Sequence, residues 1–380
     1  MQDVIHRCVR VQSNRFHHAL YEAHAIPELN VLNLPPTPED AGFAHGKHVA
    51  PLLDDIHAEF MRRFCTLKRL TPDAMRTQSL AWLDDLPTHI QIEIAAMASG
   101  GNRPVAEIAD FLYADIATPG DPSIADGPMC SAVVSRLDNQ SWVARNTDWY
   151  PPLLLRGCEA VVHNTPNRIP TLALGIRGDI DVDTGCNAEG LWLHAHTMHA
   201  KRLPPSDKPR ISWLFWLREA LETCATLDDL ERKLCEVERD RGIILVALDS
   251  KTNDSAVFEC TVDTHTRVDP TGDHLLATNH PAQRHPTDPA RLARSQPSST
   301  TRRLQALRDI CQHHPPEHAP DDLIDTLAHE TVEMRLPPVL RTIYSAVCNP
   351  RTGECWFASG TPEGQPAAST GDWLRVPWPF

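Results

Sequence analysis

The first third of the chain carries its apolar residues at helical spacing. Thr37, followed by Pro38, is typical of a helix start, and apolar residues then recur every three or four positions. This spacing predicts helices with boundaries near 37–60, 72–82, 86–98 and 105–116. A loop rich in Pro, Gly and Asp follows at 119–128. The first third is therefore predicted to be mostly helical.

After this loop the pattern changes to short β-prone runs. Cys130–Val134 and Ser141–Arg145 are separated by Asp138, Asn139 and Gln140, which favour a hairpin turn. Further strands are predicted at 159–163, 171–176, 190–197, 242–249, 255–261, 343–348 and 354–358, the last two joined by a turn at Gly353.

Helices are also predicted between these strands. One covers 211–223, a second begins at Thr226 with Asp229 placed to cap it, and a third covers 300–312. The Pro-rich residues 361–380 are expected to form an extended tail on the surface. Strands interrupted by helices favour an α+β fold in which helical layers cover the sheets.

Length, composition and charge limit the possible functions. A chain of 380 residues with 41% hydrophobic and 23% charged residues is typical of a globular protein of one large or two ordinary domains. The net charge of -14, without a cluster of Lys and Arg, excludes a nucleic-acid-binding surface. The first residues do not resemble a secretory signal, and no long apolar run predicts a membrane span, so we expect a cytoplasmic protein without a membrane partner.

Cys130 is distinguished from the other ten cysteines by its neighbours. The chain has no C-x-x-C pair, and most of the thiols are expected to be reduced and buried. Cys130, in contrast, follows Gly-Pro-Met at the first position of a strand. An antiparallel return strand would bring Arg145 and Asp148 beside it. Alternatively, Cys130 is an ordinary core thiol, and Arg145 and Asp148 form an exposed ion pair at a strand end.

Residues 127–149, with G-P-M-C-S-A-V-V followed by V-A-R-N-T-D-W, resemble the start of the catalytic chain in the isopenicillin N acyltransferase-like (acyl-CoA:6-aminopenicillanic acid acyltransferase) branch of N-terminal nucleophile hydrolases. Penicillin V acylase and acid amidase are wider relatives. The resemblance covers most of the chain in the same order. The other similar segments are A-G-F-A-H-G (41–46), G-C-N-A-E-G-L (185–191), L-L-A-T-N-H (275–280), S-T-T-R-R-L (299–304) and T-I-Y-S-A-V (342–347).

This resemblance implies a four-layer αββα sandwich of two antiparallel sheets between helices. It also implies a precursor that cuts itself between Met129 and Cys130. A mostly helical segment, 1–129, and a catalytic segment, 130–380, would then pack as one domain and remain together as a heterodimer of the chain's own fragments. The implied partners are a small-molecule acyl donor and an amine or amide substrate, with no cofactor and no metal. Assembly into a homo-oligomer stays open.

The resemblance also implies roles for five residues. Cys130 would be the nucleophile, Arg145 and Asp148 would hold the thiol and the new amino terminus, and Asn279 would donate to the oxyanion. Asn187 would be a second active-site asparagine. As alternatives, both asparagines lie in sequences typical of turns, where asparagine often makes only local hydrogen bonds.

The chemistry is consistent with these residue types. The thiol of Cys130 would attack the Met129 carbonyl, and water would hydrolyse the resulting thioester and leave a free amine on Cys130. The usual pKa of an α-amino group, about 7.7 to 8.0, allows it to act as the base without a separate histidine.

Other polar and aromatic residues have simpler interpretations. His194, His196 and His199 could suggest a metal site, but no completing ligand is evident, so ordinary imidazoles are favoured. Three tryptophans, Trp192, Trp213 and Trp216, would either line an acyl pocket or belong to the core. Residues 239–242, R-D-R-G, depart from the family pattern, since many relatives carry a serine or asparagine there that touches substrate.

Three interpretations therefore remain open. Acyl transfer and hydrolysis share one thioester, and the sequence does not separate them. The chain could instead be an unprocessed binding module of the same fold. It could also be a cysteine hydrolase that uses a separate histidine base and needs no cleavage.

Overall fold

The computed structural model describes residues 29–117, 129–149, 157–198, 211–236, 238–281, 299–336, 340–360 and 367–380. The predicted loop at 119–128 and His199 lie outside these residues. The α-helices are α1 (Pro38–Val49), α2 (Leu53–Lys68), α3 (Pro72–Asp84), α4 (Thr88–Gly100), α5 (Val105–Ala117), α6 (Trp213–Thr223), α7 (Leu227–Glu236), α8 (Ser299–His313) and α9 (Asp321–Ala328). No helix among the described residues has both the length and the apolar character of a membrane span.

Strands form two sheets. The first has the order β11-β2-β3-β13-β14-β15, with β12 also paired to β13. Its strands are β2 (Met129–Leu137), β3 (Gln140–Trp149), β11 (His274–Ala277), β12 (Arg335–Leu336), β13 (Leu340–Asn349), β14 (Glu354–Ser359) and β15 (Trp373–Arg375).

The second sheet runs from β1 to β10 with β4 to β9 in sequence order between them. Its strands are β1 (Val31–Asn33), β4 (Cys158–His163), β5 (Thr171–Ile176), β6 (Thr184–Asn187), β7 (Leu191–Thr197), β8 (Ile243–Asp249), β9 (Asp254–Cys260) and β10 (His265–Val268). The strand pairs are antiparallel as expected, except that β1 lies parallel to β4.

The two sheets lie face to face between helical layers. Alternating residues of both sheets, such as Val134 and Val246, share one buried core. The outer face of the second sheet packs against helices that include α1, α4 and α6. The outer face of the first sheet packs against α9, through Leu323 and Leu327. The αββα sandwich is therefore confirmed.

A tight hairpin sets the register of the strand that carries Cys130. Asp138 and Asn139 both have positive φ, 49° and 62°, as a two-residue type I′ turn requires. This turn pairs Cys130 with Thr147 and Ala132 with Arg145. Side chains two residues apart on a strand share one face. Cys130, Arg145 and Thr147 consequently lie on the same face of the sheet.

Most of the predicted elements are present, with shifted ends. The capping pair of α7 is confirmed, since the Asp229 N–H donates to the Thr226 hydroxyl (3.1 Å). The prediction of a simple surface tail is wrong for 367–380, where β15 extends the sheet and Val376 is buried. Residues 361–366 lie outside the described ranges. Helix α9 and several short strands were not predicted, because each is too short to show a clear period.

Candidate active site

The Cys130 side chain is buried at the start of β2 and has polar groups on two sides. Arg145 donates from Nη2 to the Cys130 Sγ (3.2 Å). The backbone N–H of Cys130 donates to Oδ1 of Asn279 (2.7 Å). The fold thus brings three of the predicted residues into direct contact. Among the described residues, no histidine hydrogen-bonds to this thiol.

Arg145 is fully buried and is held by a ring of acceptors. Its Nη1 donates to the backbone carbonyl of Asp183 (2.9 Å) and to the Thr184 hydroxyl, and its Nη2 pairs with Oδ2 of Asp183 (3.1 Å). The guanidinium also lies 5.7 Å from the centre of the Tyr344 ring. Burial by itself lowers an arginine pKa, but the Asp183 carboxylate raises that of Arg145 above its usual value. Arg145 therefore stays charged beside the thiol.

Arg303 of α8 is a site residue to which the sequence analysis gave no role. Its guanidinium donates to the backbone carbonyl of Cys130, to the Ser131 hydroxyl (2.7 Å) and to Oδ1 of Asn279 (2.9 Å). It is buried on the same side of α8 as Leu307, four residues later. An arginine at an apolar helical position is the sequence signal that could have identified it.

Asp148 is buried next to this group. Its Oδ1 accepts from the Thr342 hydroxyl (2.6 Å), whereas its Oδ2 has no hydrogen-bond partner among the described residues. The nearest cation is Arg303, with 3.8 Å between Nη1 and Oδ2. Burial raises the pKa of Asp148 to about 6.

Burial also governs the thiol itself. It raises the pKa of Cys130 to about 11, and the opposing effect of Arg145 only partly offsets this. The thiol is therefore protonated at neutral pH. Any reaction that uses its thiolate would need a base.

A cleft opens beside Cys130, with about 820 Å³ of space including the part open to solvent. Asp179, Asp181 and Asp183 alternate along one wall, while Ile180 and Val182 between them are buried in the core. A β-bulge in β13 shifts the pairing between Thr342 and Tyr344, next to the site. The apolar part of the lining includes Trp149, Val161, Leu174, Ile176, Trp213, Leu214 and Ile343.

The sequence of residues 135–364 matches the family model described as acyl-coenzyme A:6-aminopenicillanic acid acyl-transferase. This match covers more than half of the chain. The chain belongs to this family. No curated protein matches the chain in sequence.

Three solved structures are similar over part of the chain. A mutant of conjugated bile acid hydrolase from Clostridium perfringens has 12% identity and a TM-score of 0.45 over 60% of this chain and 89% of its own. An N-acylethanolamine-hydrolyzing acid amidase ortholog from Caenorhabditis elegans has 14% identity and a TM-score of 0.45, over 65% of this chain and 100% of its own. Penicillin V acylase from Agrobacterium tumefaciens has 17% identity and a TM-score of 0.41, over 60% of this chain and 83% of its own. The family assignment comes from the sequence match and not from these similarities.

The segment that departs from the family pattern, residues 239–242, does not line the cleft beside Cys130. Arg239 is buried and donates to the carbonyl of Leu234 near the end of α7 (3.1 Å) and to the carbonyl of Thr261 (2.9 Å). Asp240 accepts from the backbone N–H of Trp213 (3.2 Å) at the start of α6. In this member of the family, these two residues therefore hold helix ends in place.

The histidines and tryptophans divide between core and cleft. His196 donates from Nδ1 to the Thr278 carbonyl (3.1 Å), and Trp192 donates to His194 (2.8 Å). Burial lowers the pKa of both imidazoles well below the usual value. The described residues contain no group of three or more side chains suited to a metal ion. All three tryptophans belong to the buried core, and Trp213 also lines the cleft.

Asn187 lies apart from the group around Cys130. Its amide donates to the carbonyls of Leu221 (2.7 Å) and Cys224 (2.8 Å), near the end of α6. Its Oδ1 accepts from the backbone N–H groups of Glu189 (3.2 Å) and Leu191 (3.0 Å). These four bonds are those of a residue that joins a turn to a helix end, so the structure does not bring Asn187 to the thiol. We propose a structural role in place of the expected catalytic one.

Replacing Asn187 with alanine is therefore expected to lower stability rather than turnover. The change leaves buried backbone groups without partners, at a cost of about 2 to 4 kcal/mol in the free energy of unfolding. Urea denaturation measures this loss, and kcat on the folded fraction should stay within a few-fold of the parent. A large loss of kcat in a stable Asn187→Ala protein would restore the catalytic role.

Proposed function

We propose that this chain is a self-cleaving cysteine N-terminal nucleophile hydrolase that forms a thioester on Cys130 and passes the acyl group to an amine or to water. The observation that carries the proposal is the pair of contacts at Cys130, Arg145 on the sulfur and Asn279 on the backbone N–H. The thiol lies beside a cation, and the nitrogen that scission would release already faces an acceptor.

The scission has a complete chemical account. The Cys130 sulfur attacks the carbonyl carbon of Met129, and the thiol proton passes to the departing backbone nitrogen. The Met129–Cys130 C–N bond then breaks, and the acyl group remains on the sulfur. Water then hydrolyses the thioester, which leaves a carboxylate on Met129 and a free amine on Cys130. Arg303, bonded to the carbonyl of Cys130, holds the residue in place during both steps.

Asp148 supports the same proposal through its Oδ2, which receives no hydrogen bond from the part of the chain that the structure describes. A peptide N–H is one donor, whereas an ammonium has three. The released amino group of Cys130 would therefore have donors for Asp148 as well as for Asn279. A buried carboxylate is costly without a partner, so the ammonium would relieve a cost present in the uncut chain.

The amine would then serve as the base for turnover. Since burial raises the pKa of Cys130 to about 11, the thiol needs a proton acceptor at neutral pH. A free α-amino group, with its usual pKa of about 7.7 to 8.0, takes the proton and later returns it to the leaving amine. The apolar lining of the cleft would hold the acyl group, while Asn279 would donate to the oxyanion.

Intact mass and N-terminal sequencing of the purified protein test this proposal. The 129- and 251-residue shares of 42.4 kDa predict pieces of about 14 and 28 kDa, the larger beginning at Cys130. Product analysis with an acyl donor, with and without added amines, then separates transfer from hydrolysis. Acyl turnover by a chain that stays intact would contradict self-cleavage, and an intact chain without turnover would favour a binding module.

In the uncut protein, Asp148 is expected to contribute stability that grows as the pH falls, opposite in sign to the contribution of the buried His194 and His196. Because burial raises the pKa of Asp148 to about 6, the folded chain binds a proton between about pH 4 and 6 that the unfolded chain lacks. The contribution of Asp148 to the free energy of unfolding should therefore decrease as the pH rises through this window. Urea denaturation of Cys130→Ala measures the effect.

The double variant Cys130→Ala, Asp148→Asn is the matched control, because its neutral amide cannot titrate. It should lose the part of the pH dependence that belongs to Asp148. The cut parent protein should also lose the pH dependence that belongs to Asp148. The reason is that the ammonium released on Cys130 would hold Asp148 ionised. Equal pH dependence in the single and double variants would contradict the assignment.

A further inference from the structure

We infer that Asp183 is a positioning residue that sets how much of the Arg145 charge is available to the Cys130 sulfur. The inference rests on the proposed role of Cys130 as the nucleophile. Asp183 has no role in the sequence analysis, and it acts through Arg145 rather than on the reacting atoms.

One guanidinium nitrogen is shared between two competing acceptors. Nη2 of Arg145 lies 3.2 Å from the Cys130 Sγ and 3.1 Å from Oδ2 of Asp183. Nη1 is fixed by the backbone carbonyl of Asp183 (2.9 Å) and by Thr184. Asp183 therefore aims the guanidinium at the sulfur and, at the same time, neutralises part of its charge.

The Asp183 carboxylate is itself held in place. The Tyr344 hydroxyl donates to the same Oδ2 (2.7 Å), and it lies 2.9 Å from the Thr184 hydroxyl. Asp183 is 26% exposed and lines the cleft, whereas Arg145 is completely buried. The carboxylate thus lies between the buried cation and the space that a substrate would occupy.

Charged and titratable groups surround Cys130 and Arg145 on the neighbouring elements. They are Arg145 and Asp148 of β3, Asp183 before β6, His194 and His196 of β7, Arg303 of α8 and Tyr344 of β13. Burial raises the pKa of the Cys130 thiol most, Arg145 lowers it, and Asp183 and Asp148 raise it further. The imidazoles and the Tyr344 phenol are neutral, because burial lowers the pKa of the two histidines and raises that of the tyrosine.

The test is the pH dependence of Cys130 alkylation in Asp183→Asn. The amide oxygen can still accept from Arg145 and Tyr344, so the variant removes the charge and keeps the acceptor. We expect the midpoint of alkylation by iodoacetamide to move down by about one pH unit. Mass spectrometry of the peptide that contains Cys130 separates this thiol from the others.

Asp181→Asn is the matched control, because Asp181 lines the same wall two residues earlier. It removes the same unit of charge but leaves the ion pair between Asp183 and Arg145 intact. Its midpoint should move by less than half as much. Equal shifts in the two variants would mean that the wall acts only through its total charge, and would overturn the inference.

An unchanged or raised midpoint in a folded Asp183→Asn protein would also overturn it. If that variant does not fold, Tyr344→Phe supplies the measurement, because loss of the hydroxyl leaves Asp183 more dependent on Arg145. The midpoint should then rise, and a fall or no change would count against the inference. Failure of the proposed function would be distinguishable from failure of this inference. The chain would then not be cut, but the midpoints of Cys130 alkylation could still be measured.

Discussion

Replacing Cys130 with alanine is expected to leave one uncut 42.4 kDa chain with no acyl turnover. The sulfur is the atom proposed to attack both the Met129 carbonyl and the substrate, so its loss removes both reactions. Arg145 and Asn279 would keep the buried site folded, because each has further partners. Electrophoresis under denaturing conditions and an acyl-release assay measure the two losses.

Cys235→Ala is the matched control for this result. Cys235 is an exposed thiol on α7, so its removal should leave both scission and turnover unchanged. Cys130→Ser adds a graded test, because a hydroxyl is a weaker nucleophile and should slow the scission strongly. Scission at the parent's rate in Cys130→Ala would disprove the assignment of the nucleophile.

Replacing Asn279 with alanine is expected to lower kcat/KM by about 100-fold to 1000-fold. Its Oδ1 accepts from both Cys130 and Arg303, and its Nδ2 donates to the Thr197 carbonyl (3.0 Å) at the wall of the cleft. The variant would remove the proposed oxyanion donor and would leave two buried donors without their acceptor. Steady-state kinetics on the cut protein measure the effect.

Asn187→Ala gives the comparison for this prediction, because Asn187 is equally buried and equally well bonded. Both substitutions should lower the stability, but only the one at 279 should also lower kcat/KM strongly. A folded Asn279→Ala protein that keeps kcat/KM within about threefold would remove Asn279 from the oxyanion site.

The hairpin around Cys130 is a part of the site that local sequence is sufficient to predict. The turn at Asp138 and Asn139 fixes the register, and the register places Arg145 on the same face as Cys130. The strand ends themselves were predicted too short, because alternation weakens where residues on both faces are buried. The contact between Arg145 and the sulfur therefore follows from a local segment, since the two residues are only 15 positions apart in the chain.

The contacts of the two asparagines could not be predicted from local sequence. Asn187 and Asn279 occur in similar turn-like surroundings, yet one bonds near the end of α6 and the other bonds to Cys130. Asn279 is 149 residues from Cys130 in the chain, and no periodicity within either segment records that distance. The family resemblance identified Asn279 as a candidate site residue. Only the packing of the folded chain showed that its contacts differ from those of Asn187.

By itself, the sequence determined the helical first third, the hairpin with its thiol and cation, and the α+β class, because these depend on local spacing and turn geometry. Tertiary structure alone decided that Arg303 reaches Cys130 from 173 residues away and that Asp183 shares Arg145 with the sulfur. The physical reason is that the strength of an ion pair or hydrogen bond depends on the distance between its atoms in space and not on their separation along the chain. Packing of the two sheets sets those distances, and no single segment of the chain contains them.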